Sequence, residues 1–237
     1  MRLFLEGNIG AGKSSFLKVI ERHAPEIKIA FEPCDGWLAQ GRGKALLEQF
    51  YVEPTRWAYM MELVAMTTRV QAHLKDQETH TNNECRVMER SIYSGHYCFA
   101  LDGKQNGFFT DVEWTAYMAW FEMLVEDCCK PPSGFIYLEV DPDICFRRVC
   151  KRGRGCETSL DVPYLARVGD WHKKFLIKKM GISKTLKNVP VLCIDGNQDF
   201  TGCEEREKAL VERVCEFVAR LNPNGIYSST AYCEKSL

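Results

Sequence analysis

The chain has 237 residues, 46% of them hydrophobic and 27% charged, enough for one large α/β domain with a sizeable core. Its formal net charge of −1 carries no basic excess. That disfavours a nucleic-acid backbone or an anionic membrane as partner and leaves a small-molecule substrate. Twelve cysteines without a C-x-x-C pair read as reduced, weakly apolar thiols, and not as a disulfide framework.

In chain order, residues 2–6 read as a first strand and 13–22 as the helix after it. Residues 27–31 form a short apolar strand. Residues 57–75 form a long helix, opened by Pro54 and Thr55. Residues 86–88 are a third strand ending in Glu89-Arg90-Ser91, and 113–126 an aromatic-rich helix. A buried strand spans 135–140, a helix running into a basic segment 142–151, a last strand 189–194 and a last long helix 204–221. The alternation predicts an α/β fold: a parallel sheet with helices on both faces. Residues 1–221 read as a single domain. Residues 222–237, with their Pro, Gly, Ser and Thr, read as a mobile tail. No run reaches the roughly 18 apolar residues of a membrane span, and no signal or transit segment is read before the first strand. A cytoplasmic location is the expectation.

The first strand runs into Gly7-Asn8-Ile9-Gly10-Ala11-Gly12-Lys13-Ser14, with Ser15 next, which fits G-x-x-x-x-G-K-[ST] in its strand–loop–helix context. Glycines let backbone N–H groups approach phosphate oxygens closely, and the helix N-terminus adds partial positive charge. Lys13 can reach the β- and γ-phosphates of ATP, and the Ser14 hydroxyl can ligate Mg²⁺. No N-K-x-D is present. The one D-x-x-G match, Asp199 to Gly202, lies too near the C-terminus for a switch loop, which excludes a signalling GTPase.

Four further segments accompany the loop: Phe31-Glu32-Pro33 with Trp37 after it, Glu89-Arg90-Ser91, Arg148-x-x-x-Arg152-x-Arg154-x-x-Glu157, and 190–200 with Asp195, Gln198 and Phe200. In this order and spacing, over about residues 2–220, they resemble the deoxynucleoside kinases of the deoxycytidine, deoxyguanosine and mitochondrial-type thymidine kinase family. The resemblance implies a P-loop three-layer fold with a five-stranded parallel sheet and a basic lid. It implies phosphorylation of a deoxynucleoside 5′-hydroxyl by ATP with Mg²⁺, and a homodimer. Residues 113–126, with Trp114, Tyr117, Trp120 and Phe121, are the candidate dimer patch.

The same resemblance makes Glu32 the base for the 5′-hydroxyl. A carboxylate beside a phosphate site, at the C-terminal end of a strand, is otherwise hard to account for. Glu89 would hold Mg²⁺ together with Ser14. Arg90 would position the 5′-oxygen and the phosphoryl group. Arg148, Arg152 and Arg154 would close over the phosphates, where guanidinium forks stabilise charge on the equatorial oxygens. Where the family usually has two adjacent acids, this chain has Cys156-Glu157. Glu157 and Tyr51 match partners of the sugar 3′-hydroxyl. Trp37, Leu47, Phe50, Met61 and Phe99 match the base slot, with Phe99 stacking on the base. Asp195, Gln198 and Phe200 match the surroundings of the adenine.

The segment around Glu62 departs from the family, which usually has glutamine there. An ionised glutamate only accepts hydrogen bonds, which suits the two donors of guanine, whereas a protonated one mimics glutamine. Arg69, seven residues on along the same helix face, is expected to favour the ionised form. Ala65 and Gly95 are small at positions that set pocket room. A broad pocket that admits deoxyguanosine follows, with Glu62–Arg69 pairing away from the base as the alternative. The competing functions are a nucleoside monophosphate kinase, which would need no base such as Glu32, and a non-catalytic accessory subunit, which would not need the set Lys13, Glu32, Arg90, Arg148 and Arg152.

Overall fold

The computed structural model describes residues 1–32, 42–79 and 84–222. Trp37 and the tail from residue 223 lie outside them. Five strands form one sheet: β1 (Arg2–Glu6), β2 (Lys28–Ala30), β3 (Arg86–Glu89), β4 (Gly134–Glu139) and β5 (Val191–Asp195). Every pairing is parallel, in the order β2-β3-β1-β4-β5. The five-stranded parallel sheet read from the sequence is therefore present.

The strands read as continuous apolar runs because both faces are covered. Alternation decides which side chain goes where. Leu3, Leu5, Val87, Ile136 and Leu138 enter one core with Phe16, Leu17 and Ile20 of α1 (Lys13–His23). Phe4, Met88, Phe135 and Tyr137 point the other way, into a second core. That core is closed by α3 (Pro54–Thr79) and by α4, the continuous helical run Ile92–Ser94, Gly95–Ala100 and Leu101–Gln105. α2 (Arg42–Val52) comes just before α3 in the chain and packs on it. Downstream come α5 (Asp111–Met123), α6 (Pro142–Arg152), α7 (Val162–His172), α8 (Lys184–Lys187) and α9 (Glu204–Leu221).

The sequence pattern missed α2, α4, α7 and α8. Three of them carry local start signals. Ser91, Asp161 and Ser183 each accept a backbone N–H three residues on, and Pro163 stands in the first turn of α7. α5 begins with a capping box between Thr110 and Glu113, two residues before the expected start of its helix. Its aromatic stripe is not a single outward patch, which corrects the expected dimer face. Tyr117 and Phe121 are buried against the His96 ring, while Val112, Trp120 and Met123 stay exposed. Cys98, Cys128, Cys129, Cys145, Cys150, Cys193 and Cys203 form no disulfide among the described residues.

β1 lies centrally, with β3 and β2 on one side and β4 and β5 on the other. Chain order therefore diverges at its C-terminal end, where open parallel sheets leave a crevice for ligands. The loop at 7–12, Glu32 and Arg90 all sit on that edge, because they directly follow β1, β2 and β3. The long helix α3 is anchored at the opposite end of the sheet. Asp76, 4% exposed, accepts an ion pair from Arg2 of β1 and another, at 2.7 Å, from Arg86 of β3. Asp76→Ala would leave the buried Arg2 guanidinium without its counter-charge and Arg86 with only Glu84, at 3.6 Å. We expect a loss of about 3 kcal/mol of unfolding free energy, read from urea denaturation. A loss below about 1 kcal/mol would show that solvent compensates the arginines.

Candidate active site

The phosphate-cradling loop is held from three sides before any side chain reaches into the site. Gly10 has φ +78°, and a Cβ there would meet the Cys145 carbonyl oxygen at 2.4 Å, so α6 packs directly on the loop. The Asn8 side chain donates to the Leu165 carbonyl at 2.7 Å and so ties the loop to α7. Arg148 of α6 donates to the Ala11 carbonyl at 3.1 Å and to the Gly196 carbonyl at 2.8 Å. Arg148 therefore clamps the loop to the turn after β5, a departure from its expected place in the lid. Phe200 of that same turn is 3% exposed and packs edge-on against Phe16. It supports the loop from the core, whereas Asp195 and Gln198 are exposed. Ser15 is exposed on the first turn of α1, and Gly7 and Gly12 complete the loop.

A cavity of about 560 Å³ opens on this loop. It brings together Ile9, Gly10, Lys13, Ser14, Glu32, Glu89, Arg90, Arg152, Arg154 and Glu157 at one end. Leu47, Phe50, Tyr51, Met61, Glu62, Ala65, Arg69 and Phe99 line the rest. Nearly every described residue expected at the acceptor site is thus in one cleft. Gly95 is the exception, because it does not line the cavity: a Cβ on it would meet Arg69 Nη1 at 2.6 Å. The room it leaves holds the Arg69 guanidinium and not the base. The π-type turns of Gly95–Ala100 carry both this gap and Phe99.

Glu32 is the centre of charge. One carboxylate oxygen accepts from Arg69 Nη2 at 2.7 Å and Nε at 3.2 Å; the other lies 3.4 Å from Arg90 Nε. Burial pushes its pKa up, but Arg69, Arg90 and Lys13 together more than offset that and hold it below the ordinary glutamate value. The carboxylate is therefore ionised across the working pH range and faces the phosphate loop. Arg90 has a left-handed backbone, φ +60°, rare for a side chain of its size and costing about 1–2 kcal/mol. Glu6 supports this turn from beneath by accepting from Ser91 Oγ and N. Arg90 lies over the Phe99 ring at 4.9 Å, and its buried Nη1 makes no hydrogen bond among the described residues.

Lys13 Nζ donates to the Gly7 and Asn8 carbonyls at 3.2 and 2.9 Å. Burial, reinforced by Arg90, lowers its pKa to about 8. Ser14 Oγ stands 3.0 Å from both Glu89 carboxylate oxygens, a hydroxyl and a carboxylate beside the phosphate lysine. This donor set suits a hard cation that takes its remaining oxygens from phosphates and water. Glu157, 7% exposed, accepts from Arg152 at 2.7 and 2.8 Å and lies 3.8 Å from Arg154. One carboxylate thus orders both lid arginines.

Glu62 does not pair with Arg69, whose hydrogen bonds go to Glu32 instead. Burial raises the Glu62 pKa to about 7 against the pull of Arg69 and Arg90. Arg69 favours the ionised form of Glu62, as expected, but burial outweighs that pull. Residues the sequence did not single out also line the cleft, namely Lys18, Phe31 and Tyr164. Lys18 falls on the α1 face one turn after Ser14, and Phe31 adjoins Glu32, so both could have been found by spacing. Tyr164 arrives only through the packing of α7.

A phosphate-cradling loop that shares a cavity with a partly buried, ionised carboxylate and a closing set of arginines defines a P-loop phosphotransferase. The model of the deoxynucleoside kinase family matches residues 3–219, and the chain belongs to that family. It is an enzyme that phosphorylates deoxynucleosides with ATP as donor. Among curated relatives it is 32% identical to deoxycytidine kinase 2 of Gallus gallus, over 92% of this chain and 90% of the relative. It is 30% identical to a probable deoxycytidine kinase of Fowlpox virus, over 93% and 89%. Identity is also 30% to a mitochondrial deoxyguanosine kinase of Xenopus laevis, over 93% and 90%.

Because Gly95 exists to admit Arg69, Gly95→Ala should push the guanidinium off Glu32. A fall of about tenfold or more in kcat/KM is expected, with the melting temperature little changed. Unchanged kinetics would mean that Arg69 can hold Glu32 from another position.

Proposed function

We propose that Glu32 is the general base in transfer of the ATP γ-phosphoryl group to the 5′-hydroxyl of a deoxynucleoside, a step of DNA-precursor salvage. The observation that carries this reading is the ionised Glu32 carboxylate between Arg69 and Arg90, in one cavity with Lys13. The base of the nucleoside lies in the slot of Leu47, Phe50, Met61, Ala65 and Phe99. Tyr51 and Glu157 hold the 3′-hydroxyl, so a sugar without it gives up both of those hydrogen bonds. The 5′-hydroxyl donates to Glu32, which takes its proton as the oxygen attacks the γ-phosphorus. The bond from that phosphorus to the bridging oxygen breaks, and ADP leaves. Lys13, Arg90, Arg152 and Arg154 stabilise charge on the transferring oxygens. Arg148 acts on the loop itself. Asp195 and Gln198 belong to the adenine end, next to the carbonyls that Arg148 holds.

Mg²⁺ would be held by Ser14 and Glu89 and would neutralise charge between the β- and γ-phosphates. A homodimer through α5 is also part of the reading, using Val112, Trp120 and Met123, which share one helix face. No helix among the described residues is long and apolar enough to cross a membrane, and we place the enzyme in the cytoplasm. Pyrimidines and deoxyguanosine are both candidate acceptors, in keeping with relatives named for deoxycytidine and deoxyguanosine.

The test is ATP-dependent phosphorylation of thymidine, deoxycytidine, deoxyadenosine and deoxyguanosine by wild type and Glu32→Gln. Wild type should act on at least one of them. The variant should lose about 10²–10⁴ in kcat while keeping ATP affinity. A variant within a factor of a few of wild type would remove Glu32 from the base role.

A further inference from the structure

The far end of the cleft carries a second titratable group that the transfer step does not use. Glu62 stands on α3 where the main cavity meets a smaller pocket floored by Asp102 and Phe109. Among the described residues it makes no hydrogen bond and no ion pair. Its side chain is thus open toward whatever fills the slot between Phe99 and Tyr164.

Its surroundings explain why it stays unpaired. On its own helix the cation two turns on, Arg69, is spent on Glu32 and seated over Gly95. Arg90, following β3, is directed at Glu32 and at the Phe99 ring. From α4 the near acid is Asp102, already accepting from Trp171 Nε1 at 3.1 Å and lying 3.5 Å from Arg167. From α5 and α7 the facing groups are the Tyr117 and Tyr164 phenols, both kept neutral by burial. From α2 the cavity is closed by Tyr51 and Phe50. Among the described residues no cation pairs with Glu62.

We propose that Glu62 reads the base in two forms, and that its protonation selects between bases: the neutral carboxyl takes cytosine, and the carboxylate takes guanine. This deepens the deoxynucleoside kinase reading and rests on it. A neutral carboxyl offers one donor and one acceptor, matching cytosine's N3 acceptor and exocyclic amine. The carboxylate offers only acceptors. Against cytosine it sets an oxygen lone pair against N3, whereas guanine's N1–H and N2–H₂ give it two charge-assisted hydrogen bonds. Burial raises the Glu62 pKa to about 7, so both forms are populated near neutrality. Below that value the group is mostly neutral and cytosine is favoured. Above it the carboxylate dominates and guanine is favoured.

The experiment is the ratio of kcat/KM for deoxyguanosine to that for deoxycytidine, followed across the neutral range in wild type and Glu62→Gln. Taking a ratio cancels the titration of Lys13 and of ATP, which both substrates share. The ratio in wild type should rise with pH, approaching about tenfold per unit where one proton controls it. In Glu62→Gln, which imitates the neutral form, it should stay flat at the low-pH value. A flat wild-type ratio, a falling one, or a rise that persists in Glu62→Gln would overturn the proposal. Absence of phosphorylation of every deoxynucleoside at every pH would instead overturn the kinase reading on which it rests.

Discussion

The site depends on keeping one carboxylate charged in a place where burial works against the charge. Glu32 sits beside a loop built to attract phosphate, and isolated burial would raise its pKa. Two arginines reverse that balance, and each needs its own arrangement. Arg69 requires the missing side chain at Gly95. Arg90 requires a left-handed backbone, steadied by Glu6 through Ser91. The left-handed backbone at Arg90 and the tight contact at Gly95 both serve that single charge.

The same economy of charge runs through the rest of the cleft. Arg148 gives its donors to carbonyls and stiffens the floor. Arg152 and Arg154 stay near the phosphate end because Glu157 gathers them. One carboxylate, Glu157, thus sets the position of both lid arginines. Glu62, by contrast, is left without a committed partner, and this makes the base end adjustable while the phosphate end is fixed.

The loop, the five strands and most of the cleft were legible in the sequence because each is a local signal. The P-loop is contiguous, the strands are apolar runs, and Glu32 and Arg90 stand directly after strands whose ends must face the ligand. What could not be read depends on which element packs on which. Arg148 looks like a lid residue until α6 is seen lying on Gly10. Phe200 looks like an adenine contact until Phe16 meets it in the core. Gly95 looks like space for a base, yet the space is taken by a side chain 26 positions earlier. Three of the four aromatics of the α5 stripe, Trp114, Tyr117 and Phe121, turn inward toward His96, and helical spacing alone could not say which.

The most direct measurement of the central claim is the pH profile of kcat/KM for Arg69→Gln against wild type on the same deoxynucleoside. ATP titrates identically in both profiles. If Arg69 holds Glu32 ionised, its removal leaves burial opposed by Arg90 and Lys13 alone. The Glu32 pKa then rises, and activity is lost at higher pH as the solution is acidified. The acid limb should move up by about one unit or more in the variant. An acid limb that stays in place, with the variant folded and its rate lowered uniformly at every pH, would contradict the account.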